Sequence, residues 1–255
     1  MRFEDKVAIV TGGGTGIGRA AAQALVNEGA RVVLGGRRHE VLEATRQAID
    51  PGGKKVAILA GDISRTEVAE ALADLAETRF GGVDILVNNA GIFAPKPFLD
   101  HTEADFDAYV GTILKGKFFM AQAAARRMVT RGKGVIVQTG SMWALQAVAA
   151  TPSSAYSAAN AGVHQMVKNL AIELAAQNIR INAVAPAVVE TPVYETFLPP
   201  DQVKSVLASF DSFHPLGRIG QPGDVVSAIL FLASDAASWI TGTILPVDGG
   251  VMAGR

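Results

Sequence analysis

The stretch TGGGTGIG at residues 11–18 constrains this chain more than any other part of it. It joins a four-residue apolar run, VAIV, to a segment with helical periodicity. Gly12 suits a turn conformation closed to residues with side chains. Gly16 lets the backbone approach a ligand closely, and Gly18 permits tight packing of helix on strand. The N–H groups left free at such a helix start face outward, and the helix dipole favours an anion before them. Strand, glycine loop and helix in this order read as a pyrophosphate cradle, the plainer alternative being a tight turn without a ligand.

Past the loop, short apolar runs alternate with longer helical patterns. Runs at 6–12, 31–35, 55–59, 84–89, 134–140, 179–186 and 242–250 read as strands. They are apolar almost throughout, which suits a parallel sheet buried on both faces. Helical patterns fall at 17–28, 40–49, 67–79, 103–130 and 154–177, with caps expected at Ser64-Arg-Thr-Glu67 and Thr102-Glu-Ala-Asp105. The alternation predicts an α/β fold: one doubly wound, Rossmann-type domain over 1–255, with a seven-stranded parallel sheet and right-handed crossovers. No composition break marks a second domain, and no repeat of 20–50 residues is visible. Residues 191–223, rich in Pro, Phe and Gly, come before the last strand. At the carboxyl edge of such a sheet they are placed to form a substrate lid, and their exposed-looking aromatics favour that over an ordinary surface loop.

Composition narrows the function. Hydrophobic residues make up 49% and charged residues 18%, so disorder is not expected. A net charge of −1 with no basic block makes nucleic acid and anionic membrane poor partners. The absence of cysteine excludes disulfides, zinc–thiolate sites and thiol nucleophiles, and no metal site is expected. The first apolar run is too short for a signal-peptide core, and the longest, residues 225–233, cannot span a bilayer. A cytoplasmic protein is the expectation.

After the second strand, where an acidic residue would bind a ribose 2′-hydroxyl, the chain reads GGRR. Gly36 leaves space there, and Arg37 and Arg38 could grip a 2′-phosphate through charge-assisted hydrogen bonds. The alternative is two solvated arginines. Cations are badly placed at a helix start unless an anion joins them, so NADP is expected as cofactor, with NAD second.

Taken together, these motifs resemble a short-chain dehydrogenase/reductase over essentially the whole chain. The loop is similar to the family's TGxxxGIG, which implies cofactor contacts at Gly12, Thr15, Gly16, Ile17 and Gly18. Asp62 of GDIS, followed by Ile63, sits where the family contacts adenine, and Asn88-Asn89-Ala90-Gly91 matches its NNAG. Residues 179–192 (IRINAVAPAVVETP) resemble the segment that meets the nicotinamide, which implies contacts at Pro186, Val189 and Thr191. Ser141 and Tyr156 fall at the family's catalytic serine and tyrosine. The chemistry so implied is hydride transfer between nicotinamide and a carbonyl or alcohol carbon. Tyr156 would move the proton and Ser141 would hold the oxygen.

Three positions depart from the pattern. The lysine of the family's YxxxK, which also meets the cofactor ribose, is Asn160; the fourth-helix asparagine is Ile113; Pro-Gly after the sixth strand is Pro186-Ala187. The Ser141–Tyr156 interval is also about two residues longer than the family's, which the loop at 145–154 could absorb. An ammonium about 4 Å from a phenol at an effective dielectric of about 20 is worth about 4 kcal/mol, or about three pKa units. Asparagine carries no net charge, so most of that help should vanish. Ile113 removes the water-ordering asparagine of the relay that ends on the lysine, so the two losses read as one change. His164 lies about 80° around the helix from Tyr156 and reads as a surface or interface histidine. Lys115 and Lys117 flank position 113 out of register, so rescue by any of the three is not expected.

The expected function is an NADP(H)-dependent short-chain oxidoreductase with weakened or altered proton transfer. The alternatives are a dinucleotide-binding protein with little turnover and a non-redox enzyme on the same fold, the latter disfavoured by the intact glycine loop. A small-molecule carbonyl or alcohol substrate and a homo-oligomer, dimer or tetramer, are the expected partners. Trp143, Met142, Leu145, Val193, Phe197 and Phe210 suggest an apolar pocket.

Overall fold

The computed structural model describes residues 1–149 and 151–254. Seven strands form one parallel sheet: β1 (Val7–Thr11), β2 (Arg31–Gly36), β3 (Val56–Ala60), β4 (Ile85–Asn88), β5 (Gly134–Thr139), β6 (Ile179–Pro186) and β7 (Ile244–Val247). Their order is β3-β2-β1-β4-β5-β6-β7, so the connection direction reverses between β1 and β4. Such a reversal opens a crevice at the carboxyl ends of the two strands. Both strands are buried on both faces, which is why their sequences are apolar without alternation.

Helices cover the two faces. On one lie α1 (Gly16–Asn27), α2 (His39–Ile49) and, later in the chain, the long helix at Pro222–Ala233. On the other lie α3 (Thr66–Phe80), then α4 (Glu103–Tyr109) leading into α5 (Gly116–Arg131), and α6 (Ser154–Glu173). The short α7 (Pro200–Ser209) belongs to the segment before β7, and the helix at Pro222–Ala233 is α8. Leu25, Val225 and Ile229 pack with Val10 and Val184 on the first face. Leu72, Met120 and Val167 pack with Ile9 and Ile136 on the second.

The caps divide. Thr102 and Asp105 form the expected reciprocal box at α4. Ser64 does not cap α3, because the N-cap position is Arg65 and the Ser64 amide is already held by Asp62 Oδ1 at 3.0 Å. The expected continuous helix over 103–130 is interrupted by a π-helical stretch, Val110–Lys115, which contains Ile113. One extra residue per turn there re-aims everything downstream on α5.

At the opposite end of the sheet, buried Asp84 accepts from the Val7 amide at 2.9 Å and pairs with Arg131 at 3.2 Å. That carboxylate sets the start of β1 against β4. We expect Asp84→Ala to lower stability by about 2–3 kcal/mol, since it strands the Val7 N–H and removes a charge-assisted bond. Urea unfolding with an unchanged m-value is the check.

Candidate active site

Thr11, the last residue of β1, fixes the crevice. Its Oγ1 donates to Asn88 Oδ1 at 3.1 Å and accepts from the amides of Asn89 and Ala90 at 2.9 and 3.0 Å. The glycine loop leaves β1 at this point, so the loop and the NNAG turn share one anchor. Gly12 and Gly16 take left-handed φ values of 65° and 53°. A side chain on Gly18 would overlap the Gly12 carbonyl, and one on Gly16 would press on Thr191 at 3.2 Å. Side chains at these two positions would therefore collide with the loop itself and with Thr191, and their absence keeps the loop tight, as the pyrophosphate-binding pattern requires.

A cleft runs from this cradle between the carboxyl ends of β1 and β2. Gly12, Thr15, Arg37 and Arg38 line one part of it, and Asp62, Ile63, Ala90 and Gly91 another. Arg37 and Arg38 are exposed at its rim. The Asp62 carboxyl lies below its usual range, first because the Ser64 backbone donates to it, with a smaller contribution from Arg37. Ile17, in the first turn of α1, is half-buried and packs against the core on that face. Pro186 closes β6, Val189 forms a bridge with Gly220, and Thr191 lies over Gly16.

The second half of the site lies beyond β5. Ser141 follows that strand in an extended conformation, and its Oγ accepts from the Trp143 amide at 3.2 Å. Tyr156 stands two residues into α6, half-buried among aromatic rings. Phe93 lies 4.9 Å from it edge-on and Tyr109 6.1 Å away. Burial pushes the Tyr156 phenol up from its ordinary value, while hydrogen bonding to Ser141 and Asn160 pulls it back. Ser141 thus lies near enough to Tyr156 to act on its phenol. No cation contributes to the tyrosine's shift.

Asn160 is buried, and its Nδ2 donates to the Tyr156 carbonyl at 3.0 Å. Ile113 is buried against Tyr109, Ala155, Ala159 and Val163, in a fully apolar seat. The longer loop before α6 includes Ala150, which lies outside the described residues.

Other expectations need correction. His164 is not on the surface: it is buried, with its ring against Gly140. The aromatics of 191–223 are not exposed either, since Tyr194, Phe210 and Phe213 pack on a cluster containing Met142 and Trp143. Leu145, counted among pocket residues, is exposed. Two groups near the site escaped the sequence reading. Phe93 bridges Trp143, Tyr156 and Phe197, and only its place two residues after NNAG could have marked it. Lys117 is buried with its Nζ donating to the Thr139 carbonyl, and no sequence signal marked a lysine as buried.

The family profile described as enoyl-(acyl carrier protein) reductase matches residues 12–252. The chain is 40% identical over 252 residues to cis-4-hydroxycyclohexanecarboxylate dehydrogenase of Sinomonas cyclohexanicum, covering 98% of each. It superposes on a short-chain type dehydrogenase/reductase from Mycobacterium marinum with a TM-score of 0.92 at 33% identity, over 99% of this chain and 97% of that one. The chain belongs to the short-chain dehydrogenase/reductases. Also similar is 7α-hydroxysteroid dehydrogenase complexed with NADH and 7-oxo glycochenodeoxycholic acid. Its TM-score is 0.88 at 36% identity, over 98% of this chain and 95% of that one. Members of this family are oxidoreductases of small molecules, and nicotinamide dinucleotide is their cofactor. Among the described residues no helix is long and apolar enough to cross a membrane.

We expect Gly16→Val to abolish dinucleotide binding while the fold survives. The new side chain would fill the cradle, press on Thr191 and strain a φ of 53°. Fluorescence titration with NADPH alongside a thermal melt decides this. Undiminished binding in a folded variant would leave the loop a structural turn only.

Proposed function

We propose that this short-chain dehydrogenase/reductase uses NADP(H) to interconvert a ring-borne ketone and secondary alcohol, with proton transfer weakened by the loss of the active-site ammonium. The observation that carries the reading is Tyr156: coupled to Ser141, raised by burial and without a cationic neighbour to lower it. The bound dinucleotide would supply or accept the hydride. On one side Gly12, Thr15, Gly16 and Gly18 would hold its pyrophosphate. Asp62 with Ile63 would meet its adenine, and Asn89, Ala90 and Gly91 would back its ribose. Pro186, Val189 and Thr191 would face the nicotinamide, and Ile17 would brace the cradle from the core.

Ser141 Oγ would hold the substrate oxygen, and Tyr156 would give it a proton during reduction or take one during oxidation. A phenol held above its ordinary value stays protonated at neutral pH, so it can still donate, as a weaker acid, but is scarcely available to accept a proton. Reduction should therefore tolerate neutral pH, whereas oxidation should need alkaline conditions. Asn160 would still reach the ribose hydroxyls, supplying a dipole where the family supplies a charge. The apolar wall of Phe93, Trp143 and Phe197 suits an alicyclic substrate, in line with the hydroxycyclohexane and oxosteroid chemistry in the relatives' names. Residues 191–223 would close over it as a lid on a single domain. Exposed Phe106, Phe118 and Val129 on α4 and α5 support a homo-oligomer.

A second reading, a dinucleotide-binding protein with little turnover, draws on the same Asn160, whose amide is turned onto its own helix. Turnover separates the two. We expect 4-oxocyclohexanecarboxylate or a 7-oxosteroid to be reduced slowly with NADPH near neutral pH. Asn160→Lys should raise that rate, up to the roughly thousandfold that about 4 kcal/mol allows, less the cost of burying a new charge. The pair Asn160→Lys with Ile113→Asn should exceed the product of the single effects. No turnover by any of the four proteins favours the binding reading, and brisk turnover by the parent unchanged by Asn160→Lys removes the ammonium argument.

Cofactor choice is tested separately. Arg37→Ala with Arg38→Ala should weaken NADPH at least tenfold while changing NADH little, since only NADPH offers the 2′-phosphate. Equal affinities in the parent would overturn the assignment.

A further inference from the structure

Lys117 and His164 have no part in the mechanism above, yet both are buried directly beneath the catalytic serine. Lys117 projects from α5, and its Nζ donates to the carbonyl of Thr139. His164 projects from α6, and its Nε2 accepts from the amide of Ser141 at 3.4 Å. Between those two peptide groups stands Gly140. Its φ lies outside the left-handed region, so the backbone there does not demand glycine. What demands it is space, because a Cβ at Gly140 would overlap the imidazole.

The surroundings are polar and closed. Asn88 Nδ2 donates to the Lys117 carbonyl at 2.9 Å, which ties α5 to the NNAG strand. Asn88 is the register partner of Gln138, so both side chains face this layer. Both amide atoms of Gln138 and Nδ1 of His164 are buried without a hydrogen-bond partner among the described residues. Burial holds His164 down at about 4, helped by the charges of Lys117 and Lys168. The ring is therefore neutral near pH 7, and a neutral ring with its proton on Nδ1 presents Nε2 as the acceptor the Ser141 amide needs.

We infer that Lys117 and His164 are positioning residues for Ser141, clamping from below the two peptide groups on either side of Gly140. The inference rests on the assignment of Ser141 as the group that holds the substrate oxygen. Ser141 Oγ is fixed above by the Trp143 amide, so any drift of the 139–141 backbone moves the hydroxyl away from the substrate. A displacement of about 1 Å at a reacting centre can cost on the order of 100-fold. The sequence carries the device in three linked choices: a lysine on α5, a histidine on α6, and a glycine where their strand must pass.

The clamp has a pH dependence. From α6 the titratable group facing Lys117 is His164, which also feels the charge of the exposed Lys168; β4 and β5 present uncharged Asn88, Gln138 and Thr139. No carboxylate pairs with Lys117 among the described residues, and burial alone lowers its ammonium to about 7. Below that pH the charged amine grips the Thr139 carbonyl more strongly, and above it the neutral amine grips less.

Two readouts test the clamp. Trp143 reports on the Ser141 backbone, and Trp239, almost fully exposed, is the other tryptophan. In a Trp239→Phe background the emission of Trp143 should show a step near pH 7 that Lys117→Met removes. This needs no turnover, so it stands even if every ketone fails and the redox reading falls. A flat emission from pH 6 to 8, or a step that survives Lys117→Met, overturns the clamp. The second readout is kcat for 4-oxocyclohexanecarboxylate reduction. Gly140→Ala should lower it by about 100-fold with NADPH affinity unchanged. Adding His164→Ala should restore at least tenfold of that loss by removing the clash. His164→Gln, whose amide oxygen can still accept from Ser141, should outperform His164→Leu. Losses that simply multiply in the Gly140/His164 pair, or fall on NADPH affinity instead of kcat, would show ordinary core packing.

Discussion

The hydroxyl of Thr11 is the interaction on which the rest of the site depends. One oxygen donates to Asn88 and accepts from two successive amides, so the carboxyl ends of β1 and β4 are held at a fixed separation. Parallel strands that diverge at their ends would otherwise leave these part-buried amides without a protein partner, at a cost of up to about 1–3 kcal/mol each. Asn88 passes the constraint onward, because its amide nitrogen binds the Lys117 carbonyl of α5. The glycine loop, the NNAG turn and the helix behind β5 are therefore positioned by a single chain of hydrogen bonds.

From that frame the two halves of the site acquire different characters. The half built from β1, β2 and the glycine loop is backbone-lined, and its demands fall on residues that must be small. The half built beyond β5 is side-chain-lined and unusually apolar. Tyr109, Ile113 and Phe93 pack around half-buried Tyr156, with Asn160 beside it on the same helix. Apolar walls raise the phenol, and nothing charged pulls it down. Burial raises the phenol and no charge offsets it, so proton abstraction lacks electrostatic help here.

The π-helical stretch before α5 connects these observations. It lies at the aberrant Ile113, and it sets the phase in which α5 presents its following residues. Lys117 is carried inward beneath β5 instead of outward as a surface lysine, and Met120 and Ala124 follow it into the core. Its ammonium serves the Thr139 carbonyl and not the tyrosine. The buried amine near this site therefore stands under the serine and not beside the tyrosine.

The glycine spacing, the apolar strand runs and the ordered motifs determined the sheet, its parallel sense and the residues that meet in the crevice. Each of these rests on local backbone chemistry or on a two-sided burial pattern visible residue by residue. Asn160 and Ile113 could be singled out for the same reason, since each falls at a definite helical position in the expected pattern. What the tertiary structure alone decided is the fate of Lys117, His164 and Phe93. A histidine on an amphipathic helix reads as solvent-facing because polarity ordinarily marks the outer face, and nothing in the pattern around Lys117 marks it as buried. Here an interruption of the helix and a missing Cβ at Gly140 turn them inward, and both effects join segments far apart in sequence. Burial of a charge depends on what lies across the gap, which one strand of text does not contain.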